Sequence, residues 1–221
     1  MRIVHRYYIL PKRDQKRKFW SFIFNLVLII AVIAFMAWST KLWILLILIQ
    51  PILSVFSSFI DVPMGRENGQ IVYYSPLLLS SALKKNRIKL HGGTLFDYYY
   101  TLSMEKSEAR NKKLILYSYM EGLLNLLDSF NIKHDDVKIE ANAYFINPHT
   151  AEKLGFRKVP TKNLQKFIML MNYLPISISY SIAMGKLSFP NILSLKSYEC
   201  NIGELRQNEP KLVAMFERIK G

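Results

Sequence analysis

"VKIEANAYFINPHTAEKLGFRKV", residues 137 to 159, decides what kind of fold this chain makes. Val137, Ile139, Ala141, Ala143 and Phe145 fall on one face and Lys138, Glu140, Asn142 and Tyr144 on the other, a period of two that predicts a strand with one polar face. Asn147 suits a helix N-cap. Pro148 suits the first helical position, where its missing N–H had no partner, and Gly155 suits the left-handed residue that ends a helix. The helix between them is short, about 10 Å at 1.5 Å per residue. "FRKVP" then reads as a second strand.

Upstream, Ser107 is placed to cap a helix with Glu108 in its first turn, and Leu116, Met120, Leu123, Leu124 and Leu127 recur at helical spacing, which predicts a helix over about 107–129. Before it, "RIKLHGGTLFDYYYTL", 87 to 102, alternates aromatic and apolar residues with others. It reads as a strand, or as two strands with a turn or bulge at Gly92-Gly93, with Tyr98 and Tyr100 on one face and Asp97 and Tyr99 on the other. "IVYYSPLLLSSALKKN" mixes a strand-like run with a helix-like stretch, interrupted at Pro76. The order strand, long helix, strand, short helix, strand predicts a mixed α/β domain over 71–221. Within it, "TKNLQKFIMLMNYLPISISYSIAMGKLSFPN" is apolar, with Leu164, Phe167, Ile168 and Met171 on one helix face. It reads as core, with a surface resting on lipid as the alternative.

The N-terminal part has a different character. Residues 19 to 40 and 42 to 60 contain no charge, and Lys41 alone separates them. A bilayer core of about 30 Å takes roughly 20 apolar residues as helix, so the two runs predict a transmembrane helical hairpin over 19–60. A secretory signal has an apolar region of only about 7–15 residues and a cleavage site after it, which this pair of runs does not resemble. "DVPMGRENGQ", 61 to 70, has the Pro, Gly and polar content of a linker. Residues 1 to 18 form a basic tail with Arg2, Arg6, Lys12, Arg13, Lys16, Arg17 and Lys18 against only Asp14. The positive-inside bias then places both termini in the cytoplasm. Trp20, Trp38 and Trp43 lie where indoles favour the membrane–water interface.

The formal net charge of +14 suits an anionic inner leaflet. Nucleic acid is the rival partner for a basic chain, but the basic residues are dispersed and no recognition motif accompanies them, so the lipid bilayer is the expected partner and nucleic acid is not. A transporter subunit is disfavoured because the two spans carry no intramembrane charge. The one cysteine, Cys200, excludes an internal disulfide, fits a reducing compartment and reads as a core thiol. His134, Asp135 and Asp136 are adjacent in a turn without further spaced ligands, so no metal site is expected.

Over residues 95 to 160, about a third of the chain, "LFDYYYTL", "SEARNKK", "VKIEANAYF" and "NPHTAEKLGFRKV" resemble the GCN5-related N-acetyltransferase family; "EKLGF" followed by a strand is the most family-like element. The resemblance implies the acyl-CoA N-acyltransferase fold, in which the strand before the long helix splays from the next strand. The pantetheine of acetyl-CoA or another acyl-CoA lies in that gap, and amide donors at the helix start hold the pyrophosphate. It would place the donor along Tyr99, Tyr100, Thr101 and Leu102, with phosphates near Arg110, Asn111 and Lys112, and it makes His91 and Glu140 the candidate general bases. The implied activity is transfer of an acyl group to an amine near the inner leaflet. The alternative is a non-catalytic membrane protein using the same scaffold to bind a partner. Two departures from the family pattern are visible: "SMEKSEARNKKL" has no glycine, and Ala151 stands where many members carry a tyrosine that protonates the departing thiolate. "HGG", 91 to 93, resembles a lipase oxyanion loop, but no G-x-S-x-G accompanies it.

Overall fold

The computed structural model describes residues 4–103, 107–143, 148–191 and 194–220. Helix α1 (Lys12–Thr40) and a second apolar helix that starts as a 3-10 turn (Trp43–Leu48) and continues as α2 (Ile49–Glu67) are both long and apolar enough to cross a membrane. Pro51, in the first turn of α2, lacks the N–H that would carry regular α-helical bonding back into Trp43–Leu48. At the tip Lys41 adopts a left-handed conformation (φ 58°) and its ammonium sits 4.5 Å from the centre of the Trp38 ring. The two helices pack through Phe22 and Phe59, whose rings stack at 4.5 Å.

Residues 61–67 are helical and continue α2, which corrects the linker reading of 61–70. Pro63 and Gly65 do not break the helix because both are buried: Gly65 lies against the Ile71 side chain, and a Cβ there would come within 2.7 Å of Ile71 Cδ1. Termination falls instead at Gly69 (φ 67°), where the Gln70 amide donates to the Gly65 carbonyl.

The basic tail is likewise reassigned. Residues from Lys12 belong to α1, and the segment before it folds back onto the domain, burying His5 and Tyr7.

A six-stranded sheet follows, built from β1 (Ile71–Ser75), β2 (Leu78–Ser81), β3 (Arg87–Gly92), β4 (Lys138–Ala143), β5 (Arg157–Val159) and β6 (Lys196–Asn201). Its order is β1-β2-β3-β4-β6-β5, and every pairing is antiparallel except β3 with β4. Consecutive left-handed residues Lys85 and Asn86 turn β2 into β3, so the helix-like stretch before Arg87 is a hairpin.

The second half of 87–102 is not a strand. After β3 the chain forms α3 (Leu95–Thr101), because the Asp97 carboxylate accepts from the Thr94 amide (2.7 Å) and hydroxyl (2.8 Å) and nucleates a turn. Tyr98 and Tyr100 are buried and Tyr99 is exposed, as the strand reading expects, but a helix enclosed on nearly every side produces the same contrast.

α4 (Glu108–Ser129) matches its expected bounds, with the Ser107 hydroxyl accepting from the Arg110 amide. Its buried face includes Ile115, Tyr119, Leu123 and Leu126; Met120 and Leu127 are also buried, whereas Leu116 is 41 % exposed and Leu124 half-buried. This face covers Ile88, Leu90, Ile139 and Cys200 on one side of the sheet, and burial raises the Cys200 thiol's pKa. Short α5 (Pro148–Lys153) ends at Gly155 (φ 92°), as expected; the Asn147 cap and Phe145 lie outside the described residues. α6 (Asn163–Met171) and α7 (Tyr173–Met184) separate β5 from β6, and α8 (Ile202–Gln207) and α9 (Glu209–Lys220) close the chain, with α9 packed on α4.

Candidate functional site

The only parallel pair in the sheet comes apart at one end. β3 and β4 pair from Arg87–Lys138 to Leu90–Ala141. Past that point His91 and Gly92 pair only outward with β2, and Asn142 and Ala143 only outward with β6. A cavity of about 330 Å³ occupies the divergence. Its floor is Leu90, His91 and Gly92 of β3, Ala141 and Asn142 of β4, and Tyr198 of β6; Leu116, Tyr119 and Met120 of α4 form one wall, and Thr150 and Ala151 of α5, with Leu154 just past its end, the other. Gly92 is required by close approach, since a Cβ there would meet the Tyr119 hydroxyl at 2.5 Å. Leu116 and Tyr119 also wall a second cavity, about 220 Å³, between α4 and α7. There the Tyr119 and Tyr98 hydroxyls lie 3.3 Å apart. Desolvation pushes the Tyr98 pKa up to about 12, so Tyr98 stays protonated.

Polar groups are few, as suits a site for an apolar-bodied ligand. His91 stands at the rim, on the face that Lys89 and Glu140 share by strand alternation, and its pKa is lowered by desolvation first and by Lys89 second; the residue is exposed, so the desolvation is incomplete. Tyr198 is 2 % exposed, and its hydroxyl is buried without a hydrogen-bond partner among the described residues. Desolvation, then the Glu152 carboxylate, raise its pKa, so it is a neutral donor at physiological pH.

The residues expected to form a site are not gathered in one place. Glu140 lies one residue short of the cavity floor on the opposite face of β4, in an ion pair with Arg87 (3.1 Å). Tyr99, Tyr100, Thr101 and Leu102 form the end of α3 rather than a strand edge. Their carbonyls are capped by Arg6, whose guanidinium donates to Tyr99 (2.7 Å), Tyr100 (2.9 Å) and Leu102 (2.9 Å). Asn111 is fully buried, with its amide donating to the Ser103 and Ile182 carbonyls. Lys112 pairs with Glu108 (2.6 Å), which also contacts Lys186 (3.5 Å), while Arg110 is exposed at the helix start. Of the expected residues, His91 alone lines the β3/β4 cavity, whereas Tyr99, Tyr100 and Leu102 line a separate, more open cavity of about 460 Å³ together with Arg6 and Lys18.

The sequence reading missed Tyr119 and Tyr198. Tyr119 lies one helical turn past Leu116. Tyr198 sits in "KSYECN", where its alternation with Cys200 was the available signal. Of the turn residues, Asp135 pairs with Arg206 (3.1 Å) and Asp136 accepts from the Asn86 amide (2.8 Å). No family model, curated protein or solved structure matches this chain.

Proposed function

We propose that the protein is a two-span membrane protein with both termini in the cytoplasm, and that it binds an acyl-CoA in the β3/β4 divergence and transfers the acyl group to an amine near the inner leaflet. The observation that carries this reading is the parting of a single parallel strand pair over an apolar cavity beneath the long helix, which is the geometry the acyl-CoA N-acyltransferase resemblance calls for. The topology is supported by the basic residues before α1 and by the packing of residues 5–8 against the domain that carries the C-terminus.

The chemistry follows from the cavity's polar groups. The acceptor nitrogen attacks the thioester carbonyl and the C–N bond forms. His91, held neutral, takes the proton that nitrogen loses, the C–S bond breaks, and the thiolate leaves with a proton from Tyr198. Tyr198 would supply from β6 the hydroxyl that Ala151 of α5 lacks.

The test uses the full chain in lipid nanodiscs, since residues 5–8 are part of the core. Acyl-CoA at a hundred times its dissociation constant should add about 2.7 kcal/mol of stability. His91→Gln and Tyr198→Phe should lower turnover while leaving donor binding intact. The non-catalytic scaffold has its own support: Glu108 already pairs with Lys112 and Lys186 beside the helix start where a pyrophosphate would sit, offsetting one of their two charges. No stabilisation by CoA or by short- or long-chain acyl-CoA would establish that second reading.

A further inference from the structure

α6 and α7 separate β5 from β6, which are adjacent and antiparallel in one sheet, so the excursion between them leaves and returns on the same side. From Phe167 to Gly185 it carries no charge, with Lys162 and Lys166 before it and Lys186 after it. No residue of α6 is buried, and Leu164, Phe167 and Leu170 are each more than half exposed. A water-soluble domain does not leave such a surface bare.

The bend between the two helices, 71°, lies beside α2. There the Gln50 side-chain amide donates to the Met171 carbonyl at 3.4 Å. Gln50 is ten residues before Ile60, the inner end of the second apolar run. At 1.5 Å per residue that is about 15 Å, half the depth of a bilayer core. Polar groups at that depth must be satisfied internally. The Gln50 amide and the Met171 carbonyl, one of the orphan carbonyls at the end of α6, meet this need in each other. Asn172 bonds the Ile168 carbonyl in the same way (2.8 Å). α7 then returns along α2 with its serines turned inward: Ser179 donates to the Pro175 carbonyl and Ser181 to that of Ser177, while the buried Ser177 hydroxyl has no partner among the described residues. Its far end is tied to α4 by the Asn111–Ile182 bond. Helices of 9 and 12 residues reach only about 14 and 18 Å, too short to span separately.

We propose that α6 and α7 form a re-entrant element that dips into the inner leaflet beside the α1/α2 hairpin, with α6 facing acyl chains and the bend near mid-bilayer. This rests on the reading that the hairpin spans the membrane.

The test is depth-resolved fluorescence quenching of the full chain in phosphatidylcholine/phosphatidylglycerol vesicles. Single cysteines replace Phe167, Leu170, Lys186 and, as the hairpin control, Val32, in a Cys200→Ala background, and each carries an environment-sensitive label. Labels at 167 and 170 should be quenched several-fold more by brominated acyl chains than the label at 186, and should be shielded from aqueous iodide. Iodide quenching at 167 and 170 with lipid quenching at 32 overturns the re-entrant element alone. Loss of lipid quenching at 32 as well overturns the hairpin beneath it. Protection of 167 and 170 from both quenchers means that protein covers α6, which also overturns the proposal.

Discussion

α3 and α6 are both short and largely apolar, α3 through Phe and Tyr and α6 through Leu, Phe, Ile and Met, yet they have opposite fates. α3 is buried on almost every side, and only Tyr99 and part of Thr101 reach the surface; α6 has no buried residue at all. The difference lies in what surrounds them. Around α3, the Asp97 carboxylate accepts from Thr94, from the Tyr73 hydroxyl (2.6 Å) and faces His5 (3.2 Å), while Arg6 caps the carbonyls at its other end. The Arg66 guanidinium covers the neighbouring Tyr8 ring at 3.8 Å. Among the described residues, α6 is tied to the hairpin by one amide–carbonyl hydrogen bond at the bend. An apolar helix becomes core when the chain supplies partners for its polar ends on all sides. It stays exposed when neighbouring segments meet only its two ends, as Ser197 meets Gln165 at the start of α6 and Gln50 meets Met171 at its end.

The largest expected effect is at Asp97. Asp97→Ala strips the acceptor from several buried donors at once and should cost about 3–5 kcal/mol in denaturation of the full chain in nanodiscs, with Asp97→Asn milder because one oxygen remains. Next, Phe96→Ala should cost about 3–5 kcal/mol, whereas Phe167→Ala should stay within about 0.5 kcal/mol. Equal losses would erase the contrast between the two helices. Gln50→Leu should destabilise by only about 0.6 kcal/mol, the usual worth of an interhelical hydrogen bond in a bilayer. A larger loss would mean that the bend is held more firmly than its one bond suggests.

The smallest effect is in the pH dependence of stability. His91 has a lowered pKa, so the unfolded chain takes up a proton that the folded chain resists. Its contribution is present above about pH 6.5 and is lost as pH falls through the window below that value. His91→Gln should flatten the acid limb of the stability profile slightly, because the ring is partly solvated.

Much of the architecture is legible without coordinates. The two uncharged runs, α4 with its Ser107 cap, the polar and apolar faces of β4, and the Pro148 to Gly155 helix each depend on residues close together in the chain. α3 is not legible, because a helix enclosed on nearly all sides has no empty face to give it a period, and its seven residues mimic alternation. The basic segment before α1 is misread because its partners, Tyr99 to Leu102, lie more than 90 positions away. The site is legible only at His91. Glu140 shows the right chemistry on the face away from the cavity, and the alternation of Tyr198 with Cys200 marks a strand face but not the gap it reaches until β6 is inserted beside β4.

By itself the sequence determined the membrane-length helices, the mixed α/β class and the ends of α4 and α5, because hydropathy, periodicity and capping are local properties. Only the tertiary structure decided where β3 and β4 part, which tyrosines reach that gap, that the basic segment is pinned to α3, and that α6 is left bare, because each of these is set by which distant segment comes to lie alongside.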